Sequence, residues 1–386
     1  MHMPLRGLIV KNCDVYAPEP LGVTDVTVLE GKVVSLERGA WRELRRAACV
    51  EWEEIDGIGL TAAPGLVDLH CHFGGAGGEG GFNFRTPPAQ LSTFVKAGIT
   101  TAVGLLGTDG ISRSLVELLA KARALDIEGL STWIYTGAYQ LPGPTITGKV
   151  GSDIAWIDKI IGCKMALSDH RSSHPSAKTI RALVSEVRVS AMLAGKKGVV
   201  CVHMGSEPTG LDPLRAAVKD SEVPLTHFMP THVTRNMTLL DDTIAWVKEG
   251  GLGDITAHDD TWQCLAHVAE SGADLSHICF SSDGNGSMPK FDDKKNLIGM
   301  GVGDPASILE AVGDCIRHEV IAPEKIFACA STNPAFWLGL PAKGRIEKGY
   351  DADIMVLDGD YKLRTLVARG RVMMRDGAVL VKGTFE

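Results

Sequence analysis

The chain has 386 residues, of which 45% are hydrophobic and 22% are charged. These proportions are typical of globular proteins and exclude a disordered, coiled-coil or collagen-like chain, and the length allows about two or three domains, or one large α/β domain with a smaller one. With 39 basic and 47 acidic residues, the formal net charge is −8, which argues against a nucleic-acid partner.

The N-terminal part of the chain has the composition of short β-strands separated by turns. The predicted strands are Gly7–Val10, Val23–Leu29, Lys32–Leu36 and Val50–Ile55. The C-terminal part is similar, so we predict that residues 1–60 and 344–386 form one small β domain. Two independent β caps, one at each end, are the alternative.

Residues 61–343 alternate between short apolar segments and segments with helical periodicity, as in a parallel sheet. The predicted strands are Gly65–Leu69, Ile99–Leu106, Ser131–Tyr135, Gly162–Leu167, Gly198–Val202, Leu225–Pro230, Gly253–Thr256 and His277–Ser281. The predicted helices are Pro88–Ala97, Ser112–Leu125, Ser176–Ala194, Pro213–Lys219, Leu239–Glu249, Thr261–Ser271, Pro305–His318 and Pro323–Leu338. This pattern predicts an α/β fold, a (β/α)8 TIM-like barrel. An open doubly wound sheet is less consistent, because no GxGxxG motif follows the first strand.

Three further strands are predicted after the barrel, and they complete the small β domain. They are Asp353–Leu357, Thr365–Arg369 and Val372–Met374. The dipeptide Asp376-Gly377 is typical of a hairpin turn.

The expected location follows from the cysteines and the N-terminus. Nine cysteines, an odd number without a CxxC pair, favour a reducing compartment over a disulfide framework. The apolar segment Leu8–Val10 is followed directly by Lys11, which is unlike a signal peptide. No apolar stretch reaches the roughly eighteen residues of a transmembrane helix. We therefore expect a cytoplasmic protein without a membrane partner.

Polar residues follow the ends of four predicted barrel strands, where barrel enzymes place their chemistry. The first strand leads into His70 and His72, which share one face because side chains alternate along a strand. His203, His232 and Asp283 follow the fifth, sixth and eighth strands. A single histidine or aspartate at a strand end is usually an ordinary structural residue. Four barrel strands that all end in histidine or aspartate are harder to assign to chance, and these are the ligands that zinc-like ions prefer.

Lys164 lies inside the apolar fourth strand, where a charged amine is costly to bury. Three interpretations compete. The amine can reach solvent at the strand end, form a Schiff base as in barrel aldolases, or react with carbon dioxide to give a carbamate that bridges two cations. The neighbouring histidines and aspartate favour the carbamate, because a second metal needs an anionic bridge.

Several segments, in order from about residue 8 to the C-terminus, resemble a known family. PGLVDLHCH, the lysine of the fourth strand, the later histidines and aspartate, and GYDADIMVLD resemble the amidohydrolase superfamily of binuclear metal hydrolases. GGAGGEGGFNFRTP, VGLLGTDGISR, TGAYQLPGPTITG, SDHRSSHP, PTHVTRN, SSDGNGSMPKFDD and DGAVLVKGTFE resemble the isoaspartyl dipeptidase family within it. The resemblance implies a metallo-dipeptidase that cleaves peptides linked through the aspartate β-carboxyl and clears isoaspartyl products of protein breakdown.

The resemblance also implies two divalent ions, expected to be zinc. His70, His72 and Asp283 would bind one ion, and His203 and His232 the other. Carboxylated Lys164 and a hydroxide would bridge the two. Asp283 would act as general base, and Tyr139 would hydrogen-bond the scissile carbonyl as charge develops.

The substrate contacts are implied in the same way. Glu79, on a glycine-rich loop after His72, would bind the free α-amino group, while Arg171 and Arg235 would bind carboxylates with their planar guanidinium groups. The other implied contacts are Gly77, Thr108, Tyr139 and Ser287. A solvated Glu79, an ion pair of Arg171 with a neighbouring acid such as Asp169, and a core tyrosine are the corresponding structural alternatives.

Other functions remain open at this point. The alternative enzyme is another amidohydrolase, such as a dihydropyrimidinase-like or N-acyl-amino-acid hydrolase, and a non-catalytic scaffold with the same fold is a third option. No role is assigned to the segment His258–Trp262 after the seventh strand. We expect a small dipeptide substrate and a homo-oligomer, with an octamer as one candidate state.

Overall fold

The structure is a computed structural model that describes residues 5–46, 49–294 and 296–386. It begins with five strands and a one-turn helix: β1 (Leu5–Tyr16), β2 (Pro20–Leu29), β3 (Lys32–Ser35), α1 (Trp41–Leu44), β4 (Val50–Asp56) and β5 (Thr61–Pro64). β1 pairs with β2 antiparallel and with β4 and β5 parallel. The four strands predicted for this part of the chain are therefore present, together with β5.

Eight parallel strands then form the barrel: β6 (Leu66–Cys71), β7 (Ile99–Gly104), β8 (Ser131–Gly137), β9 (Ile160–Leu167), β10 (Val199–Met204), β11 (Phe228–Thr231), β12 (Gly253–Thr256) and β13 (Ile278–Ser281). They pair in chain order. The last strand returns to the first, since the His72 N–H donates to the carbonyl oxygen of Gly284 at 2.8 Å. The predicted (β/α)8 barrel is confirmed, and the open doubly wound sheet is excluded.

Ten helices follow α1 among the described residues: α2 (Leu91–Lys96), α3 (Leu115–Glu128), α4 (Val150–Trp156), α5 (Ala177–Leu193), α6 (Asp212–Val218), α7 (Met237–Lys248), α8 (Thr261–Glu270), α9 (Ser307–Arg317), α10 (Pro323–Ala330) and α11 (Thr332–Leu338). Ser114, Ser176 and Asn236 begin α3, α5 and α7, where their side chains accept hydrogen bonds from backbone N–H groups of the first turn. Such caps satisfy donors that have no partner inside the helix.

Two predicted elements differ from the structure. The predicted helix Pro323–Leu338 is broken at Ser331 into α10 and α11. Pro334 explains the break, because proline has no N–H to donate and its ring collides with the carbonyl four residues earlier. The predicted strand Leu225–Pro230 begins as a 3₁₀ turn over Leu225–His227, and only Phe228–Thr231 is extended.

After the barrel come an antiparallel hairpin, β14 (Ser287–Phe291) with β15 (Leu297–Val302), and four further strands, β16 (Ile354–Leu357), β17 (Leu363–Ala368), β18 (Arg371–Arg375) and β19 (Ala378–Val379). β16 pairs antiparallel with β5, so both ends of the chain contribute to one nine-stranded sheet. This excludes two independent caps. The domain limits at residues 60 and 344 stay predictions.

The apolar core lies mainly between the barrel strands and the surrounding helices. All nine cysteines are free thiols, and only Cys49 is exposed. Cys71 packs into this core, on the side of β6 away from the histidines next to it. Every helix of the described residues is too short or too polar to cross a lipid bilayer.

Candidate active site

Three predicted metal ligands meet where the first and last barrel strands close the sheet. Nε2 of His70 and Nε2 of His72 lie 3.4 and 3.1 Å from Oδ1 of Asp283. One ligand atom from each of the three lies within 4.8 Å of the others. Both imidazoles are buried, and burial is the first cause that lowers the pKa of His70 well below its usual value. A neutral imidazole keeps the lone pair that a cation needs.

The other two predicted histidines lie beside this group. The ring of His232 is centred 5.0 Å from that of His70 and 4.6 Å from that of His203. Burial lowers the pKa of both His203 and His232 well below the usual range. The ring nitrogens of His203 already have partners, since Nδ1 lies 2.6 Å from the Tyr139 hydroxyl and Nε2 lies 3.0 Å from Oδ2 of Asp169.

Lys164 is completely buried on β9, and its amine faces the histidines. Its Nζ lies 3.4 Å from Nε2 of His70 and 3.5 Å from Sγ of Cys201. Burial lowers its pKa, and within residues 5–46, 49–294 and 296–386 it forms no ion pair with a carboxylate. The unprotonated amine is the form that reacts with carbon dioxide, and a lowered pKa favours that form, so Lys164 fits a site for two cations with an anionic bridge.

Two of the site residues have backbone angles that are uncommon for residues with a Cβ. His232 has a φ of 63° and Asp283 a φ of 50°. Such left-handed conformations cost free energy and are frequent at functional sites. Here they turn the chain directly after β11 and near the end of β13, which points both side chains into the site.

Glu79 is held at the edge of the same site by three of the residues implied as substrate contacts. Oε1 accepts a hydrogen bond from Thr108 Oγ1 at 2.9 Å, and Oε2 lies 3.1 Å from Ser287 Oγ. Oε1 also pairs with Nη1 of Arg171 at 3.3 Å. The side chain is only 6% exposed, so Glu79 is not a solvated loop acid.

Gly77 lies on the loop that carries Glu79. Its φ is 90°, and a Cβ there would lie 2.3 Å from the carbonyl oxygen of Phe84. The position therefore requires glycine for both its conformation and its close backbone approach. In this structure, Gly77 shapes the loop.

The two arginines implied as carboxylate ligands differ in their surroundings. Arg171 makes a two-point contact with Asp169, from Nε to Oδ1 at 2.9 Å and from Nη2 to Oδ2 at 2.8 Å. Although burial raises the pKa of Asp169, hydrogen bonds from Arg171 and His203 hold it below its usual range. Arg235 has no carboxylate within ion-pair distance in the described parts of the chain, and its Nη2 lies 3.3 Å from Nε2 of His203.

Tyr139 and Arg235 line a cavity of about 510 Å³ that opens onto the site. His203, His232, Asp283 and Ser287 also line it, and so does His258 from the segment without a predicted role. Burial raises the pKa of the Tyr139 hydroxyl above its usual value. The phenol therefore stays protonated near neutral pH, and in this structure its hydroxyl lies 2.6 Å from Nδ1 of His203.

Sequence reasoning missed several residues that contact the predicted ligands. Oγ1 of Thr231 lies 3.0 Å from Nδ1 of His70, and Oγ1 of Thr256 lies 2.7 Å from Nδ1 of His232. Asp169, which the sequence suggests only as a partner of Arg171, also contacts His203. The one signal for these threonines in the sequence is their position. Thr231 directly follows a predicted strand and precedes His232, and Thr256 ends a predicted strand two residues before His258.

Two buried acids were also missed, Asp68 on β6 and Asp254 on β12. Burial raises the pKa of each to about 7. The backbone N–H of His70 donates to Oδ1 of Asp68 at 3.2 Å, and the Ser281 hydroxyl donates to Oδ2 of Asp254 at 2.7 Å. They add negative charge close to the histidines when ionised.

Comparisons with known proteins identify the family of this chain. Residues 61–383 match the model of the amidohydrolase family. A crystal structure of β-aspartyl dipeptidase from Fervidobacterium islandicum AW-1 in complex with β-Asp-Leu dipeptide is 39% identical, with a TM-score of 0.91 over 97% of this chain and 98% of that chain. A second structure of the enzyme from that organism is 36% identical, with a TM-score of 0.88 over the same shares.

Two more distant similarities support less about this chain. A D-hydantoinase structure has a TM-score of 0.64 at 17% identity, over 98% of this chain and 97% of that chain, which shows the fold alone. An adenine deaminase from Methanothrix thermoacetophila is 33% identical over 78 residues, which are 19% of this chain and 14% of that protein. Neither similarity identifies a substrate.

Proposed function

The chain belongs to the amidohydrolase family and, within it, to the β-aspartyl dipeptidases, and on that premise we propose that it is a metal-dependent hydrolase of β-aspartyl dipeptides. The observation that carries the proposal is the position of Glu79. Its buried carboxylate is held by Thr108 and Ser287, and Ser287 lines the cavity together with Asp283. An anion there suits a substrate with a free amino group.

Glu79, Arg171 and Arg235 carry charges opposite to those of the substrate groups that they are proposed to bind. A β-aspartyl dipeptide has one ammonium group and two carboxylates. Glu79 would bind the ammonium through a charge-assisted hydrogen bond. Arg235, which has no carboxylate partner among the described residues, would bind one carboxylate. Arg171 would bind the other once Glu79 turns from Arg171 to the substrate.

The metal centre is proposed in two parts. His70, His72 and Asp283 would hold one divalent ion, and His203 and His232 would hold a second, with carboxylated Lys164 as the bridge. His203 would have to exchange one of its present hydrogen-bond partners for the cation. When bound, two such ions lower the pKa of a shared water and polarise the amide carbonyl. Zinc is the proposed metal because imidazole and carboxylate ligands suit it.

The protein's own groups would then move the protons. Asp283 would accept a proton from the attacking water and deliver it to the leaving amine, which requires a carboxylate close to both. Tyr139 would donate its hydroxyl proton in a hydrogen bond to the carbonyl oxygen as negative charge develops there. Its raised pKa keeps the phenol protonated for this role.

The test is a comparison of three peptides with the purified, zinc-loaded enzyme. We expect β-Asp-Leu to be cleaved, α-Asp-Leu to be a poor substrate, and N-acetyl-β-Asp-Leu to be poor because its amine is blocked. Equal cleavage of the free and acetylated β-peptides would instead favour an N-acyl-amino-acid hydrolase. Turnover of a cyclic amide such as dihydrouracil, without turnover of β-Asp-Leu, would favour a dihydropyrimidinase-like enzyme.

Zinc as the native metal, carboxylation of Lys164, a homo-oligomeric state and a cytoplasmic location belong to the same proposal. Elemental analysis measures the first. Mass spectrometry under non-denaturing conditions, in buffer with and without bicarbonate, measures the carbamate mass and the number of subunits.

A further inference from the structure

Two buried threonines contact the Nδ1 nitrogens of His70 and His232. Thr231 is the last residue of β11 and contacts Nδ1 of His70 at 3.0 Å; Thr256 is the last residue of β12 and contacts Nδ1 of His232 at 2.7 Å. Thr231 is fully buried and Thr256 is 3% exposed. Water therefore does not readily replace the Thr231 hydroxyl as the partner of its ring, whereas Thr256 also lines the cavity.

The other two histidines are held differently. Nδ1 of His203 contacts the Tyr139 hydroxyl at 2.6 Å. Nδ1 of His72 is buried and has no hydrogen-bond partner within the described residues. In the proposed binuclear centre His70 belongs to one ion and His232 to the other, so each ion has one histidine whose ring is held by a threonine.

The physical consequence concerns both ring angle and tautomer. A hydroxyl oxygen that accepts a hydrogen bond from Nδ1–H leaves Nε2 with its lone pair. In His70 that nitrogen faces Asp283 and Lys164. A partner on the far nitrogen of a metal-binding histidine also raises its basicity and fixes its orientation.

We propose that Thr231 and Thr256 are positioning residues, each of which holds one histidine with Nε2 directed at one metal ion. This inference rests on the proposed binuclear centre. In this role each threonine acts through its histidine on the affinity of one ion, and only Thr256 of the two also lines the cavity. Their removal should therefore affect the two ions separately.

The experiment measures metal binding by titration of metal-free enzyme with Zn²⁺, together with the thermal stability of the metal-free protein. Loss of such a contact typically weakens metal affinity by about 10- to 100-fold. We expect Thr231→Val to weaken one of the two binding steps by that factor and Thr256→Val to weaken the other. Thr231→Ser and Thr256→Ser keep the hydroxyl and should bind nearly as the native enzyme does.

Thr101→Val is the matched control. Thr101 is a fully buried threonine on β7, the barrel strand paired with β6, and its hydroxyl has no hydrogen-bond partner among the described residues. We expect unchanged Zn²⁺ binding in this variant.

The outcomes separate the inference from the function on which it rests. If the native enzyme binds two ions and the valine variants bind both with native affinity, the inference is overturned while the proposed function stands. Serine variants as defective as the valine variants would also overturn it, because packing and not the hydroxyl would then matter. A native enzyme that binds no Zn²⁺ would instead overturn the metal centre itself.

Discussion

Oε1 of Glu79 lies 3.3 Å from Nη1 of Arg171. Glu79 is proposed to bind the amine of the substrate, and Arg171 is proposed to bind one of its carboxylates. In the free enzyme these two side chains are paired with each other. When substrate binds, Glu79 would exchange the guanidinium of Arg171 for the ammonium group of the dipeptide. Arg171 would exchange the carboxylate of Glu79 for a carboxylate of the dipeptide. Neither charge is therefore left buried without a counter-ion in the free enzyme, which would be costly.

Glu79→Gln tests the recognition of the amine. The amide keeps the shape of the side chain but loses the charge, and hydrogen bonds to charged groups contribute about 1.5–3 kcal/mol. We expect kcat/KM for β-Asp-Leu to fall about 10- to 100-fold, with metal content unchanged. Glu117→Gln, an exposed acid on α3, is the control. Native kcat/KM in Glu79→Gln would show that the amine is bound elsewhere.

Lys164→Ala tests the bridge. Without the amine no carbamate can form, so the anion that would hold two cations together is lost. We expect metal content and turnover to fall together, and we expect added acetate or propionate to restore part of the turnover by entering the space of the missing side chain. Two bound metals and native turnover in this variant would exclude the carbamate.

Tyr139→Phe tests the proposed stabilisation of the oxyanion. The ring stays in place, so packing should be preserved, and the contact to Nδ1 of His203 is lost. Removal of one such donor typically lowers kcat by about 10²–10³-fold, and we expect a fall of that size with KM changed much less. Metal content measured in the same sample separates this effect from a weakened His203. Near-native kcat would place Tyr139 among the structural residues.

The barrel and the cluster of histidines were predictable because the strands are parallel. In such a sheet the carboxyl ends of all strands meet on one face, so residues as distant in sequence as His70 and Asp283 converge there. The apolar segments identify the strands, and the polar residues directly after them identify the site. No side-chain geometry was needed for this step.

The features that were missed depend on pairing or contact between distant segments. The hairpin β14–β15 contains Pro289, which lowers the strand signal because proline cannot donate to the ladder. The contacts of Thr231 with His70 and of Asp169 with His203 join different strands. Nothing in either local sequence specifies which partner the other strand supplies.

Asp283→Asn tests the proton transfer, and it is the most demanding of these variants to interpret. Oδ1 of Asp283 lies within 3.4 Å of both His70 and His72, so the carboxylate is proposed both to bind metal and to accept the proton. Asparagine keeps the shape and one carbonyl ligand, but an amide accepts a proton far less readily than a carboxylate. It also keeps the left-handed φ of 50° at this position, which asparagine tolerates better than most residues.

We therefore expect Asp283→Asn to fold normally, to retain much of its metal and to lose nearly all turnover. The decisive measurement is kcat together with metal content in one preparation, and Asp283→Ala serves as the comparison because it removes the ligand as well as the base. Loss of turnover with metal retained in the asparagine variant, and loss of both in the alanine variant, supports the dual role. Turnover near the native value with both metals present would mean that a different group accepts the proton.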